Sequence, residues 1–177
     1  MFFKRSSLIN LLTFPGIIVH ELSHQLFCRL FDIPVFKVVY FQTRNPAGYV
    51  LHEIPDNKNQ SIIITIGPFI INTLLGFIIS LPAALPTFQI SAAKPVDYVL
   101  VYLGFTMAMH AFPSNADVKN SFSKTKEKNT PFLIKIIGYP ITGLIFCNTL
   151  KGFFWLELVY GLILSIGLPH LLVWMLA

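Results

Sequence analysis

Apolar residues are concentrated along this chain of 177 residues in five long runs, which are separated by shorter polar stretches. A helix that crosses a membrane needs about 20 predominantly apolar residues, and each run is close to that length. In the first run, Pro15 is expected either to kink the helix or to start its main part. The sequence thus predicts five transmembrane helices, at residues 8–31, 61–81, 96–112, 131–150 and 153–176.

The pattern changes between the first two runs, where short stretches are rich in β-branched and aromatic residues. Residues 35–41 and 49–54 have this character, and Asn45-Pro46-Ala47-Gly48 separates them. Turn-forming residues between two such stretches predict a β-hairpin. The expected fold class is therefore an all-α polytopic membrane protein with a small β-hairpin between its first and second transmembrane helices. Residues 1–177 are expected to form a single membrane domain.

The composition supports this interpretation and argues against nucleic acid as a partner. Apolar residues make up 54% of the chain and charged residues only 12%, whereas roughly a quarter of the residues are charged in soluble proteins. The net charge is +5, but the basic residues lie between the apolar runs, where membrane topology accounts for them.

The distribution of the 13 basic residues predicts an orientation in the membrane. If the five spans alternate in direction, nine Lys and Arg residues fall on one side and four on the other. The positive-inside rule then places the hairpin, the Lys-rich stretch 113–130 and the C-terminus in the cytoplasm. Lys4 and Arg5, near the N-terminus, favour the opposite orientation.

The first apolar run contains His20-Glu21-Leu22-Ser23-His24, a His-Glu-x-x-His pattern. Residues four apart lie about 40° apart around a helix, so His20 and His24 present two nitrogen ligands on one face. Glu21, beside them, is placed to activate a water molecule. Ionisable groups are costly within a membrane and are usually functional there. We therefore expect one zinc ion per chain at this pair, toward the cytoplasmic side.

A catalytic zinc normally has three protein ligands and one open position, so a third ligand is needed. Asp117 lies just past the third apolar run, and His24 lies toward the cytoplasmic end of the first. The two residues are thus expected at a similar depth, and Asp117 is the best candidate. Cys28, four residues after His24, is either a further ligand or redox modulator, or a small buried hydrophobic residue.

Three motifs, in this order, resemble those of the site-2 proteases, a family of intramembrane zinc metalloproteases. The His-Glu-x-x-His pattern is similar to their zinc motif, and Gly67-Pro68-Phe69-Ile70-Ile71-Asn72 is similar to their Gly-Pro-x-x-x-Asn motif. Asp117 is similar to their third ligand, although Asn115-Ala116 and Val118 replace the usual Asn-Pro and Gly around it. The resemblance covers residues 14–118, includes a β-hairpin between the first two core helices, and leaves residues 131–177 as two additional transmembrane segments.

The resemblance implies a zinc-dependent intramembrane endopeptidase. His20, His24 and Asp117 would bind the metal, and Glu21 would act as general base and then general acid. Asn72 would donate a hydrogen bond to the oxyanion or position the substrate strand. The implied partners are a membrane-protein or peptide substrate and the lipid bilayer, and the oligomeric state stays open. The edge of the hairpin would hold an unwound substrate segment as an added strand.

Two other functions are open from the sequence alone. One is a catalytically silent protein that binds other membrane proteins, a role that would not need Glu21 or either histidine of the pair. The other is a metal-handling membrane protein, which would need further ligands within the membrane, and here only His110 and Glu157 are available. His110 is expected to form a hydrogen bond between helices, and Glu157 to be interfacial or paired.

Overall fold

The computed structural model describes residues 5–88, 93–114 and 154–176. Within these ranges the chain forms six α-helices and one two-stranded antiparallel sheet. The prediction of a mostly helical protein with a small β-hairpin is therefore confirmed.

The first apolar run forms two helices, α1 (Arg5–Leu12) and α2 (Phe14–Leu30). Pro15 lies in the first turn of α2. Amide groups in the first turn have no acceptor within the helix, so the missing N–H of proline costs no hydrogen bond there, and the fixed φ of proline suits the helix. Of the two expectations for Pro15, the start of the main helix is the correct one.

Helix α2 ends in a tight reversal that leads the chain into the hairpin. Asp32 has a left-handed backbone conformation with φ of 55°. The amide of Ile33 donates to the carbonyl of Cys28 at 2.8 Å, and the amide of Asp32 donates to that of Arg29 at 3.2 Å. These two bonds form a Schellman motif, which satisfies the last carbonyl groups of the helix. The hairpin consequently packs back against α2.

The hairpin consists of β1 (Val35–Val39) and β2 (Tyr49–His52). Val38 pairs with Val50 and Val39 with Tyr49. The register shifts between Val35 and Lys37, so one strand carries an extra residue there and twists more strongly. The predicted hairpin is thus present, with strands slightly shorter than the sequence indicated.

The second and third apolar runs form α3 (Lys58–Phe88) and α4 (Pro95–Met109). Helix α4 has a well-formed start, because the amide of Lys94 donates to the carboxylate of Asp97 at 2.8 Å, as in a capping box. Both helices pack against α2 as well as against each other. The side chains of α2 that point inward therefore meet α3 and α4.

The last described residues form a continuous helical segment made of α5 (Phe154–Leu162), a π-helical turn (Ile163–Gly167) and α6 (Leu168–Leu176). The hydroxyl of Tyr160 lies 2.8 Å from that of Thr73 in α3, and the Tyr160 ring packs against Phe69 and Phe112. This segment is therefore docked on α3 and on the residues that follow α4.

Among the described helices, one is long and apolar enough, by length and composition alone, to cross a membrane. It covers Asn59–Ala84, with a mean hydropathy of 2.3. The apolar helices Pro95–Met109 and Leu156–Leu172 are shorter. The fourth predicted helix, residues 131–150, lies outside the described residues. Five spans and their orientation therefore stay predictions.

Candidate metal centre

Helix α2 presents most of its polar side chains to the interior of the protein and its leucines to the outside. His20, Glu21 and His24 are 7%, 8% and 5% exposed, whereas Leu22 and Leu26 are 44% and 52% exposed. Residues three and four positions apart share a face of a helix. The His-Glu-x-x-His spacing therefore brings two imidazoles and one carboxylate together against α3 and α4.

Both imidazole rings are oriented by main-chain carbonyl groups. The Nδ1 atom of His20 lies 2.7 Å from the carbonyl oxygen of His110, and Nδ1 of His24 lies 3.0 Å from that of Ile64. Because a carbonyl oxygen can only accept, each Nδ1 carries the hydrogen and donates it. The lone pair of each neutral ring is then on Nε2, and the two ring centres are 4.9 Å apart.

This arrangement fits a zinc ion. Histidines that bind a metal through one ring nitrogen almost always donate the other N–H to a carbonyl, a carboxylate or water, which fixes the tautomer and the orientation of the ring. His20 and His24 both do so, and a neutral imidazole nitrogen is a preferred zinc ligand. The pair can therefore supply two of the three protein ligands of a catalytic zinc.

The described residues do not add a third metal ligand to the pair. Within residues 5–88, 93–114 and 154–176, no group of three His, Cys, Asp or Glu side chains could hold a metal ion. Asp117, the predicted third ligand, lies outside these ranges, so its role stays a prediction. Cys28 is fully buried and belongs to no such group among the described residues.

An open cleft of about 350 Å³ adjoins His20 and Glu21. Its walls come from five parts of the chain, namely α1, α2, the loop between the strands, the end of α4 with the residues after it, and α5. The lining residues that matter most for chemistry and shape are Ile17, His20, Glu21, Gly48, His110 and Glu157. The volume is in the usual range for sites that bind small molecules or parts of peptides.

Asn72 joins three helices at the base of the site. Its side chain is fully buried in α3, and Nδ2 donates to the carbonyl of Gly16 in α2 at 3.2 Å and to that of His110 at 3.0 Å. Its two amide hydrogens are therefore both directed at main-chain oxygens. Oδ1 is buried and has no hydrogen-bond partner among the described residues. The predicted part of Asn72 in catalysis stays a prediction.

His110 and Glu157 both line the cleft, although the sequence indicated other roles for them. The ring of His110 makes the expected bond between helices, with Nε2 at 2.7 Å from Oγ1 of Thr13, but its carbonyl also orients His20. Glu157 reaches the cleft from α5. The sequence did contain a signal for a functional role of both residues, because ionisable side chains within apolar runs are usually functional. What the sequence did not contain was the packing that brings α5 to the same cleft as α2.

Comparison with known protein families supports the same chemistry. The family model DUF3267, described as "Putative zincin peptidase", matches residues 13–129. This segment contains both histidines of the pair, together with Glu21, Asn72 and Asp117. No curated protein matches the chain, and no solved structure matches it.

Proposed function

The chain belongs to this family of zincin peptidases, and we propose that it is a zinc-dependent endopeptidase that cleaves membrane-embedded or membrane-proximal protein segments. Zincins use a His-Glu-x-x-His sequence for two metal ligands and a catalytic base. One observation carries the proposal: the Nδ1 bonds to main-chain carbonyls leave the lone pairs of His20 and His24 on Nε2. The buried carboxylate of Glu21 lies beside them on the same helix.

In the proposed mechanism, His20 and His24 would hold the zinc through Nε2, with Asp117 as the third ligand. Zinc, when bound, acts as a Lewis acid that polarises the scissile carbonyl and acidifies the attacking water. Glu21 accepts a proton from that water and then delivers it to the leaving amine. Its position at the wall of the cleft suits both steps, because the carboxylate is largely shielded from bulk water and still borders the space for substrate.

Asn72 acts in this proposal by holding α2 and α4 together around the metal pair. Direct stabilisation of an oxyanion would require the amide to release one of its two carbonyl partners. Each released bond would forfeit about 0.5–1.5 kcal/mol, the usual net contribution of one hydrogen bond. The positioning role therefore has the lower energetic cost.

We further propose a multi-pass membrane location with the site toward the cytoplasm. The support is the distribution of polarity, because polar side chains are buried while large apolar side chains of the same helix face outward. The side chains of Asn72, Ser80 and Thr106 are fully buried, whereas Leu74 and Ile78, on the same helix as Asn72, are more than half exposed. Polar groups that face the interior and apolar groups that face outward are typical of helices surrounded by lipid.

The hairpin is the proposed binding site for the substrate backbone. A transmembrane substrate is helical, and its peptide bonds are protected until it unwinds. Each strand of a two-stranded sheet has one edge that the other strand does not use, and an extended segment can bind there by adding a strand. Proline substitutions along β1 should then slow cleavage, and unchanged cleavage would exclude this binding mode.

The experiment that tests the function compares Glu21→Gln with the wild type. The substitution removes the base and keeps the shape of the side chain, so zinc content should stay near one per chain. Cleavage of a panel of co-expressed single-span substrates should fall at least about 100-fold, the usual contribution of a general base. Glu53→Gln is the matched control, because Glu53 is an exposed carboxylate outside the cleft, and it should cleave as the wild type does.

Stoichiometric zinc with equal cleavage by the wild type and Glu21→Gln would contradict the peptidase function. It would favour a metal-handling protein or a silent binding protein instead. Asp117→Ala tests the third ligand separately. Loss of zinc from this variant is expected, and retention of stoichiometric zinc would remove Asp117 from the proposed site.

A further inference from the structure

We propose that His110 is a positioning residue for the zinc pair, because its main-chain carbonyl fixes the ring of His20 while its side chain anchors that carbonyl. The proposal rests on the proposed zinc function, since it concerns the same site. It adds a network of Thr13, His110 and Asn72 that sets the affinity for the metal without touching it.

The carbonyl of His110 is available to His20 because α4 ends there. His110 caps the C-terminus of α4, and the last carbonyl groups of a helix have no amide partner within it. This carbonyl accepts from Nδ1 of His20 at 2.7 Å and from Nδ2 of Asn72 at 3.0 Å. Donors from two other helices thus converge on a single oxygen atom.

The ring of His110 holds this helix end in place. Its Nε2 lies 2.7 Å from Oγ1 of Thr13. The hydroxyl hydrogen of Thr13 is donated to the carbonyl of Ile9 at 2.8 Å, so Nε2 of His110 is the donor in the second bond. Thr13 directly precedes α2. The bond therefore ties the end of α4 to the start of the helix that carries His20.

Asn72 completes the network from α3. Its other amide hydrogen is donated to the carbonyl of Gly16 at 3.2 Å, one turn before His20. The same side chain thus fixes both the helix that carries His20 and the oxygen that orients its ring. A ring that is already held in its binding orientation loses little freedom when it binds a metal. The zinc affinity should therefore depend on these bonds.

Substitution of Thr13 tests the proposal, because it leaves the histidine ligands and the carbonyl of His110 in place. Thr13→Val removes the hydroxyl at nearly constant volume, and no side-chain capping bond to α2 is lost with it. Thr106→Val is the matched control, since Thr106 is fully buried in α4 and its hydroxyl donates to Leu103 of the same helix at 2.9 Å. Thr13→Ser keeps the hydroxyl and is the conservative variant.

The measurement is the zinc dissociation constant of the purified full-length protein, obtained by competition with a chromophoric chelator. The visible spectrum of the Co²⁺-substituted protein reports ligand geometry alongside it. We expect Thr13→Val to weaken zinc binding about 10-fold or more, as is usual when an outer hydrogen-bond partner is lost, and to alter the Co²⁺ spectrum. Thr13→Ser and Thr106→Val should match the wild type in both.

Wild-type affinity in Thr13→Val would overturn the proposal and leave the zinc peptidase function standing. Equal losses in Thr13→Val and Thr106→Val would overturn it as well, because they would indicate a general packing effect. If Thr13→Val does not fold, His110→Ala decides by the same measurements, since it removes the ring and keeps the carbonyl. Failure of the wild type to bind zinc would instead refute the proposed function itself.

Discussion

The side chain of Glu21 is enclosed by backbone on the side of the hairpin. Gly48, in the loop between the strands, lies against it. A β-carbon at Gly48 would lie 2.7 Å from Cγ and 2.9 Å from Oε1 of Glu21, which is closer than side-chain atoms approach one another without a shift. The proposed general base therefore fits beside the loop because position 48 is a glycine and has no side chain.

Gly48→Ala should impair catalysis more than stability. The two nearest atoms belong to the flexible side chain of Glu21, and the third, the carbonyl oxygen of Tyr40, is 3.0 Å away. The added methyl group should therefore displace the carboxylate more than the backbone. A misplacement of about 1 Å at a reacting group can cost about 100-fold in rate, and we expect cleavage to fall 10-fold or more at unchanged zinc content. Gly167→Ala is the control, because a β-carbon there meets nothing within 4 Å. If Gly48→Ala loses zinc as well as activity, the effect is not confined to catalysis and the prediction is wrong.

The sequence identifies the side chains of the site better than it identifies their supports. The sequence reveals His20, Glu21 and His24 because their chemistry follows from their residue types and their common helix face follows from their spacing. The carbonyls of His110 and Ile64 that orient the two rings could not be predicted, because every residue has a carbonyl group and only the packing of helices selects two of them. Gly48 was recognised as a turn residue, but its contact with Glu21 depends on how the hairpin folds back.

At the level of elements, α2 and α4 approach each other closely beside the site. A β-carbon on Gly16 would lie 1.9 Å from the carbonyl oxygen of Thr106 and 2.5 Å from its carbon. These are backbone atoms of a helix, which cannot move as a side chain can. The distance between the two helices, and with it the contact of His20 with His110, therefore depends on a glycine at position 16.

Gly16→Ala is expected to push α2 and α4 apart. The cost should be about 1–3 kcal/mol in the free energy of unfolding, as for other insertions into a packed interior, and zinc affinity should fall with it. Thermal or denaturant unfolding in detergent measures the first effect, and chelator competition measures the second. Leu26→Ala, on the exposed face of the same helix, should change neither. Normal stability and affinity in Gly16→Ala would refute the importance of this contact.

The elements themselves were largely predictable, since periodicity and turn chemistry are local. The hairpin follows from two β-branched stretches around Asn45-Pro46-Ala47-Gly48, and α2 starts where Pro15 allows. The predicted limits of the second apolar run, 61–81, were too narrow, because α3 extends over Lys58–Phe88. Hydropathy marks the apolar part of a helix, whereas polar residues such as Asn59 and Gln60 continue it beyond that part. The break between α1 and α2 at Thr13 has no hydropathy signal at all.

At the scale of the whole molecule, polar side chains are buried while large apolar side chains cover much of the outer surface that the structure describes. Polar residues of α2 and α3 lie in the interior together with isoleucines such as Ile62 and Ile64, while leucines of the same helices and Ile78 face outward. In water such a surface would favour aggregation, whereas in lipid its exposure carries no free-energy penalty. This is the physical basis for proposing a membrane environment, together with the length of α3.

The proposed topology places the hairpin loop and the Lys-rich stretch on the same cytoplasmic side. With Cys28 and Cys147 replaced by alanine, a cysteine introduced at Arg44 or at Lys126 should react with a membrane-impermeant maleimide only after the cells are opened. A cysteine at Lys94, which the same topology places outside, should react in intact cells and serves as the control. Labelling of Arg44→Cys in intact cells would reverse the proposed orientation.

The position of α5 has a consequence for how such a protein can diversify. Glu157 and its helix form one wall of the cleft, yet they lie beyond residues 13–129, the segment that matches the family. The proposed hydrolytic centre and one face of the space beside it thus belong to separate stretches of the chain. Changes in the C-terminal helix could alter which sequences are accepted while the metal pair and its base remain constant. Exchange of residues 154–176 between relatives would thus be a direct route to altered selectivity.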